Sequence, residues 1–169
     1  MSRYRPPSKP GSKYITPEGH ERFKDEIRQL WQERAIVTEE VRAAAALGDR
    51  SENAEYIYGK KRLREIDGRL RHLGKRLDNI NVVHGLPKEQ NKVFFGAWVK
   101  LMDEDDNELI VRIVGPDEFD TDKQYISMDS PLAQALLKRS LHDEVTVVRP
   151  AGTIEYWIES ISYCGADEL

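Results

Sequence analysis

Apolar residues recur in two long runs of helical period. In the first run Phe23, Ile27, Leu30, Arg34, Val37, Val41 and Ala44 follow at spacings of 4, 3, 4, 3, 4 and 3, a heptad seam with one polar member, Arg34. Thr16-Pro17-Glu18 predicts its start, with Thr16 as cap, proline at the first helical position and an acid near the positive helix end. The run stops at Leu47-Gly48, where glycine suits a left-handed helix end. In the second run Leu63, Ile66, Leu70, Leu73, Leu77 and Ile80 recur at 3, 4, 3, 4 and 3. Each run spans roughly 28 residues, or about 40 Å of helix. Matching seams, equal lengths and a short connection predict an antiparallel helical hairpin over residues 14–81. A dimerising coiled coil is the simpler alternative. Gly68 and Gly74 each lower the second helix's intrinsic stability by roughly 1 kcal/mol relative to alanine.

After Ile80 the period changes. Residues 82–92 read as a linker. Strands are expected over 93–101 and 109–114, joined by the acidic turn Asp103-Glu104-Asp105-Asp106-Asn107. Further strands are expected over 125–128, 145–148 and 154–158. Ser130 caps a short helix with Pro131 at its first position. Residues 93–169 therefore form a small α+β domain, and the whole chain an α+β protein with an N-terminal helical hairpin.

Charge divides the same way. Residues 1–81 carry 18 Lys/Arg against 13 Asp/Glu, and residues 82–169 carry 8 against 17. Two bodies with different partners are implied, the basic one suited to nucleic acid or an acidic protein surface. Residues 1–13, with Arg3, Arg5, Lys9 and Lys13 among prolines and glycine, read as a disordered basic tail. No run of 18 apolar residues and no signal-peptide core is present, so a cytoplasmic protein without a membrane span is expected. The single Cys164 excludes an internal disulfide, and His20, His72, His84 and His142 share no spacing. Nothing marks a self-contained enzyme.

The connection between the helices, residues 47–56, holds the candidate chemistry. Asp49 and Glu52 lie three apart, a spacing that puts two carboxylates on one helical face and offers hard oxygens suited to Mg²⁺. Two carboxylates are an incomplete set, so the metal would need further ligands from a second surface. The same pair also has the form of a capping box, with Asp49 as N-cap and Ser51 as a rival cap; spacing alone favours capping. On the second helix Lys60, Arg64, Arg71 and Lys75 fall within about 60° of one another, well away from the seam. Arg62, Arg69 and Arg76 form a second row beside it. The outer stripe either steers a phosphate backbone toward the acids or is simply a solvated face.

The stretch Leu47-Gly48-Asp49-Arg50-Ser51-Glu52-Asn53-Ala54-Glu55-Tyr56 resembles the tip of the bacterial Gre transcript-cleavage factors. Lys60-Lys61-Arg62-Leu63-Arg64-Glu65-Ile66-Asp67 is similar to the GreB type within that family. Val93-Phe94-Phe95-Gly96-Ala97, Arg112-Ile113-Val114-Gly115 and the segment Ile126 to Leu137 are similar to the family's second domain. The resemblance implies a coiled-coil hairpin that enters the secondary channel of bacterial RNA polymerase, and an FKBP-like domain that grips the channel's rim. It implies stimulation of the polymerase's own hydrolytic cleavage of backtracked RNA 3′ ends. Asp49 and Glu52 fall on the two tip acids that help hold a second Mg²⁺ in the polymerase active site. Ser51, Asn53 and Tyr56 fall on neighbouring tip positions. Lys60, Lys61, Arg64, Arg71 and Lys75 are the candidates for the basic patch, and Asp129, Ser130 and Pro131 for polymerase contact. The factor is expected to be a monomer alone and no enzyme itself. The alternatives are a secondary-channel paralogue that regulates without cleavage, and a prolyl isomerase on the FKBP-like domain.

Overall fold

The computed structural model describes residues 10–169, in two compact units. Residues 1–9, and with them most of the expected tail, lie outside the described residues. One unit is Glu18–Ile80, and the other is Asn81–Leu169 together with the described residues up to Pro17.

The first unit is the hairpin. Helix α1 spans Pro17–Ala45 and helix α2 spans Ala54–Asn79. The seam positions of both are buried or half-buried, with Ile66 and Leu73 fully enclosed. The polar seam member is explained by its partner: Arg34 Nε donates to Asp67 Oδ1 on α2 at 2.7 Å. The inner arginine row pairs in the same antiparallel sense. Arg62 grips Glu33 through two bonds of 2.6 and 2.9 Å, and Arg69 grips Glu26 at 2.6 and 3.0 Å. These pairs are more than a third exposed, so they set register more than they add stability. Gly59 of α2 faces Val41 of α1, and a Cβ on Gly59 would overlap Val41 Cγ2. The same addition at Gly68 or Gly74 meets nothing within 4 Å.

The second unit is built on a five-stranded sheet. Its strands are β3 (Trp98–Asp103), β4 (Glu108–Val114), β5 (Tyr125–Ser127), β6 (Glu144–Arg149) and β7 (Gly152–Ser162), in the order β5-β4-β3-β7-β6. Only β4 and β5 run parallel. Alternate residues such as Val99, Leu101, Val145, Val147 and Ile158 point into one core, together with Ala133 and Leu136 of helix α3 (Pro131–Leu136). Ser130 caps α3 as expected, its side chain accepting from the Ala133 N–H.

The expected strand from Val93 begins instead at Trp98. Residues 93–97 are held as a loop: Val93 bonds its backbone to Arg139 and Lys138, and Gly96, at φ +86°, donates to the Ile113 carbonyl. The residues ahead of α1 belong to this unit and not to the hairpin. β1 (Tyr14–Ile15) pairs in parallel with β2 (Asn81–Val82). Ile15 is fully buried, and the Thr16 N–H donates to Glu118 Oε2 at 2.9 Å while its hydroxyl bonds Glu118 Oε1. Glu118, itself buried, also accepts from the Gly115 N–H at 3.0 Å. Ser12, expected within the tail, donates from both N–H and Oγ to Asp129. Among the described residues no helix is long and apolar enough to cross a membrane.

These packing differences yield a stability test. In chemical denaturation, Gly59→Ala should destabilise the protein by about 1–3 kcal/mol through overpacking against a β-branched neighbour. Gly68→Ala and Gly74→Ala should each stabilise it by about 0.5–1 kcal/mol.

Candidate functional site: the hairpin tip

Helix α1 ends in a tightened turn, with the Leu47 N–H donating to the Ala44 carbonyl at 3.2 Å. Gly48 follows at φ +127°. Helix α2 then starts from Asn53, and this corrects the sequence-based expectation. Neither Asp49 nor Ser51 is the N-cap. Asn53 has the extended backbone of a cap, and its Oδ1 accepts from the Tyr56 N–H at 3.1 Å. Its Nδ2 donates at 2.9 Å to the Ala44 carbonyl in the last turn of α1, which also accepts from the Leu47 N–H. Turning the amide over would set donor against donor and acceptor against acceptor, so the network fixes its orientation. Asn53 therefore ties both helix ends with one side chain. The signal was readable: asparagine is among the best caps, and Ala54-Glu55 behind it makes a favourable first turn.

With capping assigned to Asn53, the two acids hold no helix end. Both Asp49 and Glu52 are exposed. The Ser51 N–H and hydroxyl donate to the same oxygen, Asp49 Oδ1, at 2.9 and 2.7 Å. These bonds, the hydroxyl's first, hold the Asp49 carboxyl below the ordinary carboxylate range. Asp49 Oδ2 carries no hydrogen bond to any described residue. One oxygen is thus oriented and the other left open. Among the described residues no group of three or more His, Cys, Asp and Glu side chains is placed to hold a metal ion, so a metal at the tip would need ligands from a partner.

The other expected site residues separate into two sets. Lys60, Lys61, Arg64, Arg71 and Lys75 are all exposed on α2, and none forms an ion pair within 4 Å among the described residues. They differ in this from Arg62 and Arg69, whose charges are taken up by α1. On the sheet unit, Asp129 binds Ser12, Ser130 caps α3 and Pro131 opens it, so each has a structural part within its own unit. Two features escaped the sequence reading. Glu118 shows no local pattern that marks a buried acid, and the Arg50 guanidinium over the Tyr56 ring, 5.8 Å from its centroid, depends on how the tip turns.

Two outcomes are expected of the tip. Asn53→Ala should lower stability by about 1–2 kcal/mol in denaturant titration, whereas Asp49→Asn and Glu52→Gln should stay within about 0.5 kcal/mol of wild type. Ser51→Ala should raise the Asp49 pKa part of the way toward that of a free aspartate in a carboxyl-detected NMR titration, because the hydroxyl bond it removes favours the charged form while the backbone N–H bond remains.

Comparison with known proteins matches both units. The family model described as "Transcription elongation factor, N-terminal" covers residues 13–82, and that described as "Transcription elongation factor, GreA/GreB, C-term" covers residues 87–163. The chain is 56% identical over 164 residues to the transcription elongation factor GreB of Pseudomonas aeruginosa, spanning 96% of this chain and 98% of that one. It is 54% identical over 158 residues to GreB of Yersinia pestis, spanning 93% and 92%. A solved GreA/GreB factor from Nitrosomonas europaea aligns at a TM-score of 0.41 with 21% identity, over 90% of this chain and 100% of that one. With family models covering nearly all of both units and relatives more than half identical end to end, the chain belongs to the GreA/GreB family of transcription elongation factors, with the GreB type as its match.

Proposed function

We propose that the hairpin carries Asp49 and Glu52 through the secondary channel into the active site of backtracked RNA polymerase, where they promote hydrolytic cleavage of the extruded RNA 3′ end. A transcription elongation factor has RNA polymerase as its partner, and the tip would act in cleavage there. One observation carries it: Asn53 does the capping, so neither carboxylate is needed to hold a helix end. The open oxygen of Asp49 and the carboxylate of Glu52 would hold a second Mg²⁺ jointly with ligands of the polymerase. Bound there, the cation supplies Lewis-acid charge against the scissile phosphate. The chain's own contribution is placement. Ser51 keeps Asp49 ionised and turned, and the paired helices keep the loop on a stiff support. The exposed cations from Lys60 to Lys75 line the route with positive charge that draws the RNA backbone toward the tip. The factor needs no catalytic centre of its own.

The test uses bacterial RNA polymerase stalled in a backtracked complex with labelled RNA and Mg²⁺. Wild type should accelerate cleavage, and Asp49→Asn/Glu52→Gln should lose that acceleration by orders of magnitude while still binding polymerase. Equal cleavage by both proteins would remove the acids from the chemistry. Binding of wild type without cleavage would identify a regulator that occupies the channel.

A further inference from the structure

The tip loop, residues 46–53, contains a single cation, Arg50, one residue from Asp49 and two from Glu52. Despite those neighbours it forms no ion pair within 4 Å with either acid or any other described residue. Asp49 instead directs one oxygen to Ser51. Arg50 is exposed, and its guanidinium lies over the Tyr56 ring, 5.8 Å from the centroid. Tyr56 is half-buried, and its backbone N–H donates to the capping Asn53. A cation–π contact at an exposed site is weak, whereas a charge-assisted bond from guanidinium to phosphate is stronger and can be bidentate. The guanidinium is therefore held in place without its donors being used up.

The charge balance gives this a purpose. Two carboxylates brought to an RNA strand approach a polyanion, and like charges at close range repel. A cation in the same loop offsets that repulsion.

We propose that Arg50 is a phosphate-binding residue, whose guanidinium holds a backbone phosphodiester of the extruded RNA beside Asp49 and Glu52. The proposal rests on the delivery of those acids to backtracked polymerase. It assigns to the tip a contact with substrate separate from the metal-binding carboxylates. Tyr56 serves as the perch that keeps the guanidinium away from the acids before RNA arrives.

The experiment compares wild type with Arg50→Gln, Arg50→Lys and Tyr56→Leu. Two readouts are taken: affinity for RNA polymerase without extruded RNA, and cleavage rate at saturating factor in a backtracked complex. Arg50→Gln should cleave about tenfold more slowly with unchanged affinity for the RNA-free enzyme, as loss of one charge-assisted phosphate contact requires. Arg50→Lys should recover at least half of the lost rate, and Tyr56→Leu, which loses the perch but keeps the charge, should slow cleavage less than Arg50→Gln does. The proposal is overturned if Arg50→Gln cleaves like wild type, if Arg50→Lys is as slow as Arg50→Gln, or if Tyr56→Leu is equally slow, which would make the arginine a packing residue. It is also overturned if Arg50→Gln weakens binding to the RNA-free enzyme, which would make it a protein contact. If wild type itself gives no acceleration, the delivery of the acids fails first and Arg50 has no RNA to meet.

Discussion

The side-chain amide of Asn53 is the constraint on which the tip depends. One group offers an acceptor and a donor, and the hairpin uses both: the acceptor starts α2 and the donor closes the last turn of α1. Aspartate or serine could start the helix equally well, but neither could also satisfy the Ala44 carbonyl with an N–H. Because this residue closes the turn, the six residues from Leu47 to Glu52 hold neither helix end by their side chains. A loop relieved of that task can present charged groups to a partner, and this one presents two acids and one base.

The hairpin behind the tip is specified by charge and volume together. The apolar seams bring the helices face to face but tolerate sliding by a heptad, since each turn resembles the next. The ion pairs Glu26–Arg69, Glu33–Arg62 and Arg34–Asp67 are satisfied together in one register. Gly59 under Val41 adds a steric key at one level. The pairing also sorts the basic residues by role. Those of the inner row answer acids on α1, while the outer row from Lys60 to Lys75 keeps its charge for solvent or for a polyanion.

In the sheet unit a second polar lock secures the chain on either side of the hairpin segment. The carboxylate of Glu118 receives the Thr16 N–H and hydroxyl and the Gly115 N–H, so its burial is matched by donors. Gly115 lets the strap approach, because a Cβ there would overlap the Tyr14 carbonyl. β1 and β2 are then laid side by side, with the Asn81 N–H on the Lys13 carbonyl at 2.7 Å and the Val83 N–H on the Ile15 carbonyl at 3.0 Å. The binding of Ser12 to Asp129 extends the strap beyond what composition suggests, since a segment with little apolar surface is held by hydrogen bonds to a neighbouring acid.

By itself the sequence determined what depends on neighbours along the chain. Heptad spacing marks both helices and their buried faces, alternation marks most strands, and Ser130-Pro131 marks the start of α3, because each follows from backbone geometry over a few residues. The tip motif and its acids were legible for the same reason. Tertiary structure decided what depends on residues far apart. Asn53 outranks Asp49 as the cap because only its amide reaches back nine positions to Ala44. The run from Val93 is a loop until Trp98 because its backbone pairs with separate segments, Val93 with Lys138 and Arg139 and Gly96 with Ile113. Glu118 is buried because Thr16, 102 residues earlier, brings it donors. Periodicity reports which face of an element is apolar, and it is silent on which polar group another segment will meet.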